Sequence, residues 1–167
     1  ITPDMLEKLL KVVVYGDLLQ KMLTKNRVYE VNRGETQKLY DEWMQKCKEL
    51  VVHSSLSEFK KSIYDMVNDF EKIELDTSMK KPKVGIVGEV LIKYHPFGNN
   101  FIAEKLEQEG AEVILPDFMG FVKFMATHKI TFNTLIKTDK YKAKIFKLAI
   151  KLIDILEKDE RIALANS

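Results

Sequence analysis

Over residues 1–74 the apolar positions recur every three or four residues, the spacing that gathers side chains on one face of a helix. Thr2-Pro3-Asp4 supplies an N-cap residue, a proline for the first helical position and an acid for the first turn, so a helix is predicted to start there. Its stripe runs through Leu6, Leu9, Leu10 and Val13 and resumes at Leu18, Leu19, Met22 and Leu23. Between the two halves stand the β-branched Val12-Val13-Val14 and then Gly16, which costs about 1 kcal/mol relative to alanine inside a helix; a break or bend is expected near Tyr15-Gly16. The polar stretch Thr24 to Gly34 closes this element. From Glu35 the residues Leu39, Tyr40, Trp43, Met44, Cys47, Leu50 and Val51 trace the clearest helical stripe of the chain. Cys47 falls on that stripe and reads as a small buried hydrophobe, the alternative being a reactive thiol or cluster ligand. Ser55-Leu56-Ser57-Glu58 fits a capping box, and Phe59, Ile63, Met66, Val67 and Phe70 continue as one face.

Periodicity is lost over Asp76 to Pro82, which reads as a connector. Beyond it Val84, Ile86, Val87, Val90, Leu91 and Ile92 make a nearly continuous β-rich run, expected to be a parallel strand buried on both faces. A loop from Lys93 to Asn99 follows, then a helix capped by Asn99 or Asn100 and running to about Glu109 with Gly110 past its end, then a short strand over Ala111–Leu115. Asp117 is expected to cap a helix bearing Phe118, Phe121, Val122 and Met125. Residues 128–138 give no clear pattern, and a last helix from Tyr141 carries Ile145, Leu148, Ala149, Leu152, Ile153 and Leu156. The predicted fold class is therefore α/β. A helical unit over 1–78 packs as one body with a unit over 82–167, a small parallel β-α-β layer of Rossmann or flavodoxin type with C-terminal helices.

Composition changes this picture little. The chain has 167 residues, enough for one core, and a formal net charge of +2, too small to draw nucleic acid or an anionic membrane by bulk electrostatics. No apolar stretch approaches the ~20 residues of a membrane span, and ITPDMLEKLL carries charges where a signal peptide would be unbroken and apolar. The single Cys47 argues for a reducing, cytoplasmic setting. A start at Ile1 without Met and an end at Ala165-Asn166-Ser167 read as a piece of a longer protein.

Candidate chemistry concentrates after the first predicted strand, because loops at the carboxyl ends of parallel strands are where open α/β sheets bind ligands. Gly85 and Gly88 have the wrong spacing for a dinucleotide fingerprint, and no Gly-Lys-Ser or Gly-Lys-Thr follows. The loop nonetheless offers Glu89, Lys93, Tyr94, His95, Asn99 and Asn100. Glu89 lies within the apolar run, where burial would disfavour its charge unless a donor meets it, and the alternative is a carboxylate bonded to local backbone N–H groups. His95, held extended by Pro96, suits acid or base work near neutral pH. Glu89 and His95 are thus the catalytic candidates. Gly88, Asn99 and Asn100 are the cofactor-binding candidates, at the strand exit and at a helix start whose N–H groups face an anion; the plainer reading of the two asparagines is a cap and a turn residue. His53 and His128 have no ligand-spaced partner, and no metal site is predicted. Lys140, Lys144, Lys147 and Lys151 share one side of the last helix, as a solvated face or as a seat for a phosphate-bearing partner.

Val84-Gly85-Ile86-Val87-Gly88-Glu89, Pro96, Asn99-Asn100, Leu106-Glu107 and Gly110-Ala111-Glu112-Val113 together resemble the proteins related to 2-hydroxyacyl-CoA dehydratases and benzoyl-CoA reductases, most of all the long proteins described as CoA-substrate-specific enzyme activases. Val14-Tyr15-Gly16-Asp17-Leu18-Leu19, Tyr29-Glu30-Val31-Asn32, Gly34-Glu35 and Trp43 extend the resemblance over most of residues 12–118. It implies an anaerobic cytoplasmic system in which an ATP-dependent activator passes a low-potential electron to a component holding a [4Fe-4S] cluster on cysteine thiolates. The chain departs from the family at Pro116-Asp117-Phe118-Met119-Gly120, where dehydratase subunits commonly carry a cysteine, and it shows no ATP-binding motif. No cofactor is then expected in this stretch itself. The implied role is scaffold plus one loop, Glu89 to Asn100, of an acyl-CoA site at a crevice completed by the rest of a parent protein or by a dehydratase or activator partner. The rival reading is a non-catalytic module whose sheet edge or basic helix docks a protein.

Overall fold

The computed structural model describes residues 2–136 and 140–165; the chain ends read above as cut points, Ile1 and Asn166-Ser167, and the end of the unpatterned 128–138 stretch lie outside them. Helices dominate. The order is α1 (Pro3–Asn26), α2 (Glu35–His53), α3 (Leu56–Phe70), β1 (Lys83–Gly85), α4 (Val90–Tyr94), α5 (Ile102–Gln108), β2 (Glu112–Ile114), α6 (Phe118–Leu135) and α7 (Lys140–Ala165).

The predicted α/β class does not hold. The only sheet among the described residues has two strands of three residues each, paired in parallel with Lys83 opposite Glu112 and Gly85 opposite Ile114, and a Rossmann-like layer is absent. The expected long buried strand fails for a local reason. Gly88 takes φ +145°, a conformation that L side chains rarely adopt, and the next carboxylate, Glu89, accepts the Ile92 N–H at 3.0 Å and so caps a helix in place of a strand. The apolar residues of this run are not buried on two faces either, since Val87 is 84% and Leu91 75% exposed. Composition favoured a strand, and the Gly-Glu punctuation overrode it.

The helical signals fare better. Thr2 accepts the Met5 N–H at 3.2 Å with Pro3 opening α1, and Ser55 and Glu58 form the reciprocal capping box on α3. The N-cap of α2 is Gly34, whose lack of a side-chain acceptor is made good by Glu30: its carboxylate accepts N–H bonds from Gly34 at 2.7 Å and Thr36 at 2.8 Å. The expected break at Gly16 is absent, and α1 is one uninterrupted helix. Gly16 lies on the exposed side, while Val14, Tyr15, Leu18 and Leu19 are fully buried around it. Burial of such side chains at roughly 1.5–3 kcal/mol each outweighs the intrinsic cost of one glycine.

These residues meet Trp43, Cys47, Phe59, Ile63, Met66 and Phe70 in the core. Tyr15 packs edge-on to Phe59 at 5.0 Å between ring centres, and its hydroxyl pairs with Ser62 Oγ at 2.6 Å. Burial, only partly offset by that Ser62 bond, pushes the Tyr15 phenol up to about 12. α1 also reaches the C-terminal half, packing against β2, α6 and α7, so the first helix spans both regions divided above at the connector. No helix among the described residues is long and apolar enough to cross a membrane.

A Cβ added at Gly16 would meet no other atom within 4 Å, and the backbone there is ordinary helix. Gly16→Ala is therefore expected to stabilise the protein by about 0.5–1 kcal/mol in urea unfolding. A loss of stability would restore the bend that the sequence suggests.

Candidate functional site

The loop that leaves β1 is built almost entirely from its own side chains. Ile86 N–H continues the ladder to Ile114 O at 3.0 Å, and the chain then turns through Gly88 into the five-residue helix α4. His95 ends that helix, and its Nδ1 accepts the Gly98 N–H at 2.9 Å, which leaves Nε2 to carry the proton of the neutral ring. Asn99 donates through Nδ2 to the carbonyls of Ile92 and Lys93, at 3.1 and 3.0 Å, and accepts the Ile102 N–H at 3.3 Å. Asn100 and Phe101 both adopt left-handed backbone, φ +60° and +55°, held by the bonds of their N–H groups to Phe97 O and Pro96 O.

All five predicted site residues therefore share one loop, and most of their polar capacity holds the loop itself. Glu89 is an N-cap, His95 and Asn99 close turns, and Gly88 and Asn100 supply backbone turns. The expected crevice is not there: Glu89, His95 and Asn100 face solvent, and Phe97 is 82% exposed beside them. Val87, Leu91 and Phe97 thus each stand exposed along the segment that leaves β1, and they are its apolar crest.

Beneath the crest lies a charged cluster. Tyr94 donates its hydroxyl to Pro116 O and packs edge-on to Phe118 at 6.0 Å. Burial, with the charges of Asp17 and Asp117 adding to it, pushes the Tyr94 phenol up to about 12, so it stays a donor. Asp17, buried on α1, accepts N–H bonds from Phe118 and Met119, both at 2.8 Å, and the predicted cap Asp117 accepts from Gly120 at 2.6 Å. Two carboxylates thereby satisfy three of the free N–H groups at the start of α6. A Cβ on Gly120 would collide with the Asp117 carboxylate, so glycine is what lets this cap close.

Lys21, one turn beyond Asp17, reaches Asp117 at 3.0 Å and Glu160 of α7 at 2.7 Å. Burial alone would lower Lys21, but Glu160 and Asp117 outweigh it and its pKa rises. Burial raises Glu160 despite Lys21, and it raises Asp17 despite the two N–H bonds; Asp117 is lowered, because Lys21 and the Gly120 bond overcome burial. Asp117 and Glu160 thus share one ammonium, with Asp17 held beside them on backbone N–H groups.

At the opposite, amino ends of the strands a cleft of about 670 Å³ opens among Arg27, Tyr29, Arg33, Lys81, Glu104 and Glu107. Its cations and acids neutralise one another in part: Arg27 Nε meets Glu107 at 2.6 Å, and Tyr29 donates to Glu112 at 3.0 Å.

A [4Fe-4S] cluster does not fit the residues present. Cys47 is 5% exposed inside the helical core, where burial pushes its thiol up to about 12, far from a ready thiolate. No group of three His, Cys, Asp or Glu able to hold a metal gathers among the described residues. Cluster ligands would have to come from outside them.

No motif marks Asp17, Lys21 and Glu160 as a group in the sequence, although one signal is present. Asp17 and Lys21 fall on the same side of α1 as Val14 and Leu18, and Glu157 and Glu160 interrupt the stripe of Ile153 and Leu164, so charges sit where an amphipathic helix should be apolar. No family model, curated protein or solved structure matches the chain.

Lys21→Gln is expected to cost on the order of 3 kcal/mol at pH 7, the low end for a severed buried pair because Lys21 keeps some solvent contact. Glu160, raised by burial, loses the opposing Lys21 charge in the variant and takes up a proton more readily, so the deficit should shrink as pH falls from 7 towards 4; the share held by the depressed Asp117 is lost only below its ordinary carboxylate range. Denaturant unfolding of both proteins across that range checks it; equal stability at pH 7, or a deficit that grows with acid, contradicts the cluster.

Proposed function

We propose that this chain is a scaffold segment of a 2-hydroxyacyl-CoA dehydratase-related iron–sulfur protein of the CoA-enzyme activase group, working in the cytoplasm. Its loop from Glu89 to Asn100 contributes one wall of an acyl-CoA site completed by other residues of that protein or by a dehydratase or activator partner. The motif run from Val84 to Val113, which resembles that group, is what motivates the reading. The observation that carries it is the loop's construction. Backbone and polar side chains are internally bonded, while Val87, Leu91 and Phe97 stand bare along the segment that leaves β1, an arrangement suited to being covered by more protein or by an acyl chain. His95 Nε2, the second Glu89 oxygen and the exposed Asn100 side chain are polar groups the loop can turn to substrate.

The rival, an assembly module without chemistry, rests on the same crest together with the lack of a cluster ligand set among the described residues. The two readings part in one experiment. The full-length gene product, purified without oxygen, is expected to hold iron and sulfide, to give a cluster EPR signal on reduction, and to change that signal when acyl-CoA is added. Phe97→Glu should weaken the acyl-CoA response by at least about tenfold without lowering Tm, since the side chain is already in water. An iron-free product, or a response indifferent to Phe97, would count against the dehydratase reading and leave the assembly module.

A further inference from the structure

The last helix carries a second pattern that the body of the molecule does not absorb. Along α7, Tyr141, Ile145, Leu148, Leu152 and Ile155 succeed one another at spacings of four, three, four and three, the a/d register of a coiled-coil heptad. Packing against the body uses another side of the helix, where Ile153, Glu157, Glu160 and Ala163 are buried. The middle of the seam is left uncovered by the body: Ile145 is 52%, Leu148 69% and Ile155 53% exposed. Leu152 belongs to the register by its place in the sequence.

The charges beside the seam indicate what covers it. With Tyr141, Leu148 and Ile155 at d, the g positions are Lys144, Lys151 and Lys158, and the e positions are Lys142, Ala149 and Leu156. The three g lysines are exposed, and no ion pair involves them among the described residues. A second copy is a poor occupant: antiparallel pairing would set lysine against lysine, and parallel pairing would offer those lysines no acid. A bilayer would draw on the same lysines together with the exposed Phe124, Phe132 and Leu135 of the neighbouring α6, and vesicle capture is the outcome that separates it from a helical partner.

We propose that the Tyr141–Ile155 seam of α7 is the docking site for an amphipathic helix of a protein partner, with apolar a and d residues flanked by glutamate or aspartate. The seam is distinct from the loop crest and does not depend on the acyl-CoA reading. Knobs of the partner fill the holes between Ile145, Leu148 and Ile155, and its carboxylates meet Lys144, Lys151 and Lys158, which set its identity more than its affinity.

Two synthetic four-heptad peptides with Ile at a and Leu at d, one with Glu and one with Lys at every e and g, test this by fluorescence anisotropy against the intact chain. The glutamate peptide is expected to bind at least about tenfold more tightly than its lysine twin and to weaken as salt rises. Leu148→Glu should abolish binding with unchanged circular dichroism and Tm. The combined Lys144→Glu, Lys151→Glu and Lys158→Glu variant should transfer the preference to the lysine peptide. Equal affinity for both peptides, no binding at about 100 µM, or a charge-reversed variant that keeps the glutamate preference would overturn the proposal. So would Leu148-dependent self-association in sedimentation, or Leu148-dependent capture by phosphatidylserine vesicles without peptide binding.

Discussion

Asp17 and Lys21 stand one helical turn apart on the buried side of α1, and between them they anchor the elements that follow the connector. Asp17 takes the first N–H groups of α6, and Lys21 ties the α6 cap Asp117 to Glu160 of α7. Burying charge of this kind is expensive unless every lone pair finds a donor, which is why the cluster sits where a helix start offers a row of unpaired N–H groups. Its value lies in position. An apolar contact between α1 and α6 could slide by a turn, whereas two carboxylates aimed at three particular N–H groups admit one register.

That register carries through to the loop. With the start of α6 held, Pro116 and Phe118 are placed to receive Tyr94, and Tyr94 is the last residue of α4. The loop thus leans on the cluster through one aromatic side chain and otherwise supports itself through Glu89, His95 and Asn99. A loop that satisfies its own polar groups can expose apolar ones without collapsing, and the left-handed Asn100 and Phe101, at a cost of about 1–2 kcal/mol each, show how much is invested in its shape. A wall presented to acyl-CoA and a surface for assembly would both need such a rigid apolar crest.

What could be read in the sequence was short-ranged. Thr2-Pro3, the Ser55 box, Asp117 and Gly110 each act within one turn of themselves, and each is found in its expected role. The strand expected over Val84–Ile92 shows the limit of composition: β-rich residues describe what a segment tolerates, while one positive-φ glycine followed by a capping acid decides what it forms. Gly16 shows the same in reverse, a local weakness overruled by the core around it. For the site, the five loop residues were legible as a group, because a Gly-, Pro- and Asn-punctuated segment announces a loop. The cluster below was not, since Lys21 and Glu160 are 139 residues apart and only the fold brings them together.

Hydrogen exchange at the Phe118 and Met119 amides tests the anchoring role of Asp17 most directly. Both should be protected in the native protein, and Asp17→Ala should speed their exchange by roughly ten- to a hundredfold, the cost of leaving buried donors unpaired, while the Ile63 amide in the helical core keeps its protection. Amides at Phe118 and Met119 that exchange freely in the native protein, or that ignore the loss of Asp17, would contradict it.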